Sequence, residues 1–210
     1  MSCGTWSLRS HDSTVMKRFF LLLMVMCAAP AWAQSGALTV PRNLDQLTHR
    51  AAVIVRGTVI SARVEKHPEL TALDTVVVKL QVKESLKGQT GGTYTFRQYL
   101  WDTRNRKNAA GYLKGQELLL LMIEPSRYGL SSPAGLEQGR FVISRDQNGH
   151  QVAVNGRGNM GLFNGVSTQA AAKGIALSSR TAGLVQRKFG GPVELSDLTT
   201  LIRELASAGR

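Results

Sequence analysis

Asp74-Thr-Val-Val-Val-Lys-Leu-Gln-Val-Lys-Glu-Ser-Leu-Lys-Gly88 decides the fold. Val76, Val78, Leu80 and Val82 alternate with Val77, Lys79, Gln81 and Lys83. Period two predicts a strand with the first set on a core and most of the second in water. Leu86-Lys87-Gly88 ends the run in a turn. The pattern predicts the long central strand of an antiparallel sheet or barrel, paired with the apolar runs on either side.

Upstream, Ala52 to Val64 reads as a second strand. Val53, Val55 and Val59 share one parity, whereas Ile60, Ala62 and Val64 take the other. The change of phase near Gly57 predicts a bulge or bend of the kind small barrels need. His67-Pro68 opens the loop after it. Ahead of it, Asn43 with Gln46 resembles a capping box for a short helix with Leu44, Leu47 and Ala51 on one face. Downstream, Tyr94, Phe96, Gln98 and Leu100 alternate with Thr93, Thr95, Arg97 and Tyr99 in a third strand. An irregular loop, Trp101 to Gly115, precedes Glu117-Leu-Leu-Leu-Leu-Met-Ile123. A run so short, stopped by Pro125, suits a buried strand, with a helical turn as the alternative. Tyr128 to Leu130 is a brief strand. Arg140 to Arg145 and Gln151 to Val154 flank Asn148-Gly149, the strongest hairpin signal in the chain. Ser167 to Phe189 has little periodicity and reads as a mobile linker. Leu198, Leu201, Ile202 and Leu205 then form the stripe of a helix from about Ser196 to Ala206, capped by Ser196 or Asp197.

The beginning of the chain is a targeting signal rather than fold. Lys17-Arg18, an apolar run from Phe19 to Trp32, and Ala31-Trp32-Ala33 make a secretory signal peptide cleaved before Gln34. The run is too short and wrongly flanked for a membrane span. Met16 sits where such a peptide begins, which makes residues 1–15 a mis-called start. A lipoprotein reading of Cys27 lacks the small residues a lipobox needs, because Met24-Val25-Met26 precede it. The exported chain, Gln34 to Arg210, is periplasmic or secreted. Both cysteines, Cys3 and Cys27, lie ahead of the cut, so it has no disulfide and no thiolate chemistry. Losing Arg9, Lys17, Arg18 and Asp12 takes the net charge from +12 to +10. A basic exported chain is predisposed to anionic partners, such as envelope lipid, acidic polysaccharide or nucleic acid. Solubility alone accounts equally well for the same charge.

Several of these runs fall in a familiar order. They are the helix with Leu44 and Leu47, Ala52 to Val59, Thr75 to Val82 with Glu84 to Gly88, Gly115 to Leu121, Tyr128 to Leu130 and Gly139 to Ile143. The order resembles the OB-like barrel of netrin modules and tissue inhibitors of metalloproteinases. More closely, it resembles a broad set of uncharacterised exported bacterial proteins with that barrel. The likeness covers roughly Asn43 to Val154. It implies a closed five-stranded barrel with a helix, and no chemistry. The inhibitors place an N-terminal cysteine on a target's zinc, and a chain beginning at Gln34 has none to place. The expected fold class is therefore mainly β: a small antiparallel OB-like barrel with a short N-terminal helix and a C-terminal amphipathic helix. Its expected divisions are a signal peptide (1–33), a lead-in (34–42), the barrel (43–165), a mobile linker (166–192) and a helix (193–210).

Recognisable chemistry is sparse. Gly156-Arg-Gly-Asn-Met-Gly161 matches the dinucleotide G-x-G-x-x-G, but that motif needs a strand before it and a helix directly after. Leu162-Phe163-Asn164-Gly165 follows instead. The glycines read as a loop packed on the barrel, and neither a dinucleotide nor another cofactor is expected. His49, His67 and His150 lack zinc spacing and read as solvated surface residues. No serine sits in G-x-S-x-G, although a serine triad can be assembled from distant residues. Glu117, Glu124 and Asp102 form no evident acid–base pair. The constellation that stands out holds Arg97, Tyr99, Trp101, Arg104, Arg106, Lys107, Tyr112 and Lys114. OB-type barrels bind oligomers on a strand face and adjoining loops, where aromatics stack and cations meet anions. The alternative is that Trp101 and Tyr112 plug one barrel end and the charges are a solvated loop. The expected function is a non-enzymatic binding or interaction module of the bacterial envelope, taking an anionic glycan or lipid, or a protein partner. The alternative is an envelope hydrolase, or an inhibitor-like protein without the usual cysteine.

The targeting reading has a direct check. N-terminal sequencing of exported protein should return Gln34 as the first residue; a sequence beginning at Met1 or Met16 contradicts it.

Overall fold

The computed structural model describes residues 39–100, 106 and 108–207. Seven strands form one antiparallel sheet: β1 (Val53–Lys66), β2 (Asp74–Lys87), β3 (Thr93–Tyr99), β4 (Glu117–Met122), β5 (Arg140–Arg145), β6 (Gln151–Asn155) and β7 (Val193–Glu194). Their order across the sheet is β3-β2-β1-β4-β5-β6-β7. The middle strand is therefore β4. The valine-rich β2, expected at the centre, lies next to the edge between β1 and β3.

The helices are α1 (Leu44–Arg50), α2 (Val166–Ala172), α3 (Ser179–Leu184) and α4 (Leu195–Ser207). The capping box of α1 forms as read: Asn43 Oδ1 accepts from the Gln46 amide at 3.0 Å, and Asn43 N donates to Gln46 Oε1 at 3.2 Å. At the other end of α1, the ammonium of Lys87 on β2 donates to the Thr48 carbonyl at 3.0 Å. A cation there offsets the partial negative charge of the helix C-terminus.

Two cores lie on opposite faces of the sheet. Leu119 and Leu121 of β4 belong to one, with Ile54, Phe141, Leu44 and Leu47 of α1, and Leu198, Leu201, Ile202 and Leu205 of α4. Leu118, Leu120 and Met122 belong to the other, with Val55, Val59, Val76, Val78, Leu80, Phe96 and Tyr112. The β1–β3 side curls over β4 to enclose this second core. It curls far enough for Leu130 to bridge Arg97 in parallel and Pro133 to bridge Met122 antiparallel. These remain isolated bridges, and the sheet is not closed into a barrel. The physical reason lies in the segment that would have to close it. Gly129 takes φ +68° and Pro133 has no amide hydrogen, so only a few residues between them can extend and pair.

The β1–β2 pairing shifts register beside Gly57, between Arg56 and Gly57, as read, and again at Ile60, where the core parity changes. Val59 faces Leu80 and Ser61 faces Lys79, so Ile60 is the extra residue that moves the core parity from odd to even. Gly57 also permits a close approach of the two strands. A Cβ there would lie 2.5 Å from the Gln81 carbonyl oxygen, so only glycine lets β1 and β2 approach. The β5–β6 hairpin turns through Asn148-Gly149 as read, with Gly149 at φ +82° and Asp146 Oδ1 accepting from the Asn148 and His150 amides.

Residues 166–192, expected as a mobile linker, contain helical structure. They hold α2 and α3, whose Val166, Ala170 and Leu184 are buried in the first core together with Val185 just after α3. Short helices with only two or three inward residues carry too little periodicity to be read. The C-terminal helix begins at Leu195, directly after β7, so Ser196 and Asp197 lie in its first turn rather than at its cap.

Leu201 is fully buried at the α4 interface. Leu201→Asp should therefore lower stability by about 2–4 kcal/mol, because an unpaired carboxylate would be forced into the core. Chemical denaturation of the variant checks this, and an unchanged midpoint would show that α4 is not docked as described.

Candidate functional site

An antiparallel β1-β2-β3 run puts the β1–β2 loop and the exit of β3 at the same end. The loop after β4 joins them there, because the Ser131 amide donates to the Arg97 carbonyl at 2.8 Å. His67 holds two of these loops together. Its Nδ1 accepts from the Leu70 amide at 2.9 Å and lies 3.2 Å from the Glu69 amide, so the ring proton is on Nε2, which donates to the Tyr128 carbonyl at 2.8 Å. This corrects the solvated-surface reading: His67 is 1% exposed and every ring nitrogen is used.

The charges at this end are mostly arranged in pairs, and the exposed Glu69 and Glu124 lie on the same loops as the cations. Arg97 donates to Glu65 at 2.6 Å and to the Thr75 hydroxyl at 2.8 Å. Asp74 is shared by Lys66 at 2.9 Å and Arg106 at 3.4 Å. The Lys66 hydrogen bond, helped by the Arg106 charge, holds the Asp74 carboxyl below its usual value against the opposing effect of burial. Lys66 and Arg106 each keep more than half of their side chains in solvent. Arg127, also exposed, lies over the Tyr128 ring at 4.6 Å. Tyr99, half-buried, faces Thr75 across the β2–β3 ladder.

The expected site residues are thus only partly brought together. Arg97, Tyr99 and Arg106 lie at this end. Trp101, Arg104 and Lys107 lie outside the described residues. Tyr112 is turned inward: it packs edge-on against Phe96, its hydroxyl donates to Gln98 at 2.8 Å, and Arg140 covers its ring at 4.8 Å. It offers no stacking face, and burial pushes its hydroxyl well above the usual range. Lys114 is exposed beside Val59, since Gly115 N donates to the Val59 carbonyl. That is seven residues along β1 from Lys66, roughly 20 Å. Lys66, Arg127 and Tyr128 were missed. The signal for Lys66 was available in the meander itself, because the β1–β2 turn must lie beside the exit of β3. Nothing in the spacing indicates the return of residues 127–130 to β3.

A second polar region lies between the sheet and α4. Arg56 donates twice to Glu117, at 2.7 and 2.6 Å, and once to Gln151 at 3.0 Å. Lys83 reaches the other Glu117 oxygen at 2.7 Å, and Arg203 of α4 pairs with Glu84. Burial alone would raise the Glu117 carboxyl, but hydrogen bonds from Lys83 and Arg56 outweigh it and hold the group below its usual value. Arg56 and Gln151 line a cleft of about 330 Å³ together with His150, Glu194, Ser196 and Thr199. His150 and Ser196 line the cleft and Asp146 lies near His150, but the geometry does not make a proton relay. Asp146 and His150 are 3.8 Å apart, and the Ser196 hydroxyl donates to Glu194 at 2.7 Å while accepting from Arg180. Among the described residues, no group of three or more His, Cys, Asp or Glu side chains could hold a metal ion, and no helix is long and apolar enough to cross a membrane.

The glycine motif after β6 is explained by packing. A Cβ at Gly156 would strike Glu137, while Gly158 and Gly161 take φ +62° and +70°. Successive turns, not a helix start, separate β6 from α2. Asn155 and Asn159 clasp the loop: each side-chain oxygen accepts from the other's backbone amide, at 2.9 and 2.8 Å.

Compared with models of protein families, with curated proteins and with solved structures, the chain matches none.

The Glu117 network carries a pH dependence. A carboxyl held lower in the folded than in the unfolded state adds stability above its unfolded value, and that stability is lost as pH falls through the folded one. Stability should therefore drop on acidification into and below the ordinary carboxylate range, and Glu117→Gln should make the drop shallower. Denaturant unfolding between about pH 7 and about pH 3 measures both, and an equal slope in wild type and variant would contradict the pairing.

Proposed function

We propose that this chain is an exported, non-enzymatic binding module of the bacterial envelope that takes an anionic glycan or lipid. Its binding surface is the sheet end formed by residues 66–74, the exit of β3 and residues 124–130. One observation carries the reading. Three loops from different parts of the chain converge there, with exposed Lys66, Arg106 and Arg127 near Tyr128; Asp74 is shared by the first two, and Arg127 lies over the tyrosine ring among the exposed Glu69 and Glu124 of the same loops. A fixed cluster of cations beside an aromatic ring suits a sulfated, phosphorylated or uronic polymer.

The β1–β4 half is read as an opened OB-like barrel. Support comes from its curled second core and from the parallel Arg97–Leu130 and antiparallel Met122–Pro133 bridges, which run where a closing strand would. In OB-type barrels this combination of strand face and adjoining loops is where oligomers bind. Export rests on the signal peptide read at residues 1–33, and the resemblance to exported proteins with a netrin-like barrel points the same way.

Titration with a heparin-like glycan, lipopolysaccharide and single-stranded DNA at two salt concentrations tests the proposal. Arg106→Ala combined with Arg127→Ala should weaken binding. For DNA it should reduce the slope of log affinity against log salt by about 1.4, the loss of two phosphate contacts. Tyr128→Ala should weaken binding with little change of slope. If wild type binds none of the three, or the double variant binds as well as wild type, the surface is a solvated loop cluster.

A further inference from the structure

Two loops on another part of the molecule are fastened into one tip. The Gly191 amide donates to the Gly158 carbonyl at 2.7 Å, and Asn159 Nδ2 donates to the Gly191 carbonyl at 2.9 Å. Gly190 lies so close that a Cβ there would sit 2.4 Å from the Gly158 oxygen and 2.7 Å from the Met160 sulfur. Met160 therefore lies against the residue next to Phe189. Met160 is 65% exposed and Phe189 is 82% exposed, the most exposed of the large apolar side chains among the described residues. Arg157, Arg187 and Lys188, all exposed, lie on the same two loops within three residues of them in the chain. None has a carboxylate partner among the described residues; Arg187 donates only to the Pro192 carbonyl, at 3.2 Å.

We infer that this tip, Arg157 to Met160 with Arg187 to Phe189, docks on an anionic lipid bilayer. A single exposed apolar residue would need no explanation. Two carried on turns hydrogen-bonded to each other, with three exposed cations next to them in the chain and the adjacent carboxylate, Glu137 against Gly156, already paired with Arg140, match an interface whose headgroups are negative and whose next layer is hydrocarbon. A protein partner would cover the apolar pair with a complementary apolar surface and leave three cations to be neutralised separately. A bilayer does both. The tip shares no residue with the sheet-end site, so either can fail without the other.

Phe189→Trp in the full chain provides a local probe, read as a difference from the wild-type emission so that Trp101 and the leader tryptophans cancel. Vesicles of phosphatidylglycerol and phosphatidylcholine should shift this difference emission to the blue, whereas phosphatidylcholine alone should not. Brominated acyl chains should quench it. Adding Arg157→Glu and Lys188→Glu should weaken the vesicle titration by about tenfold or more, with thermal unfolding unchanged because both side chains are exposed. Arg106→Ala with Arg127→Ala should leave the shift intact. No shift with either vesicle, an equal shift with both, or loss of the shift in the Arg106/Arg127 variant would overturn the inference.

Discussion

The structure depends on β4 being buried from both sides. Leu118 to Met122 are five consecutive residues with no exposed surface, and they alternate between two cores. A strand without a wet face requires a cover on each side. On one side the cover is helical, with α1 and α4 packed over Leu119 and Leu121. On the other it is the sheet itself: β1, β2 and β3 curl until Phe96 and Tyr112 reach Leu118, Leu120 and Met122. The bulge at Ile60 and the close approach at Gly57 are the local devices that allow this curl.

The polar groups are found where that arrangement ends. Asp45, at the N-terminus of α1, is 4% exposed and receives Lys173 at 2.7 Å, which ties α1 to the end of α2. Glu117 sits just beyond the leucines of β4 and gathers Arg56 and Lys83. His67 joins two loops through both nitrogens of its ring, and Asn155 with Asn159 closes the loop after β6. Buried polar groups of this kind are tolerated because their hydrogen bonds are made inside the protein. They also hold loops at defined positions on a rigid frame, so the charges of the sheet end and of the Met160–Phe189 tip are displayed rather than free to collapse.

What the sequence revealed and what it concealed follow the same division. Strong local patterns were legible: the alternation of β2, the leucine run of β4, the Asn43 capping box, the Asn148-Gly149 hairpin and the stripe of α4. The position of β2 was not, because periodicity reports which face is buried and says nothing of a strand's place in the sheet. The closed barrel failed at a segment whose pairing depends on Gly129 and Pro133, and the linker failed because α2 and α3 each bury too few residues to make a period. In the site, composition found Arg97, Tyr99 and Arg106. It could not tell an inward tyrosine from an outward one, and Tyr112 is inward because Gln98 and Arg140 supply partners for its hydroxyl and ring. His67 looked like a solvated loop residue because its acceptors and donors are backbone groups, which leave no trace in the sequence.

If β4 fastens two cores into one cooperative unit, damage to either core must be felt in both. Native-state hydrogen exchange on Leu120→Ala, a deletion in the core beneath Phe96, tests this directly. The account predicts that the slowest amides of β6 and α4, on the other side of the sheet, lose the same protection as those of β2 and β3, about 2–5 kcal/mol for a buried leucine. Unchanged protection in β6 and α4 would contradict it, because the two cores would then unfold independently.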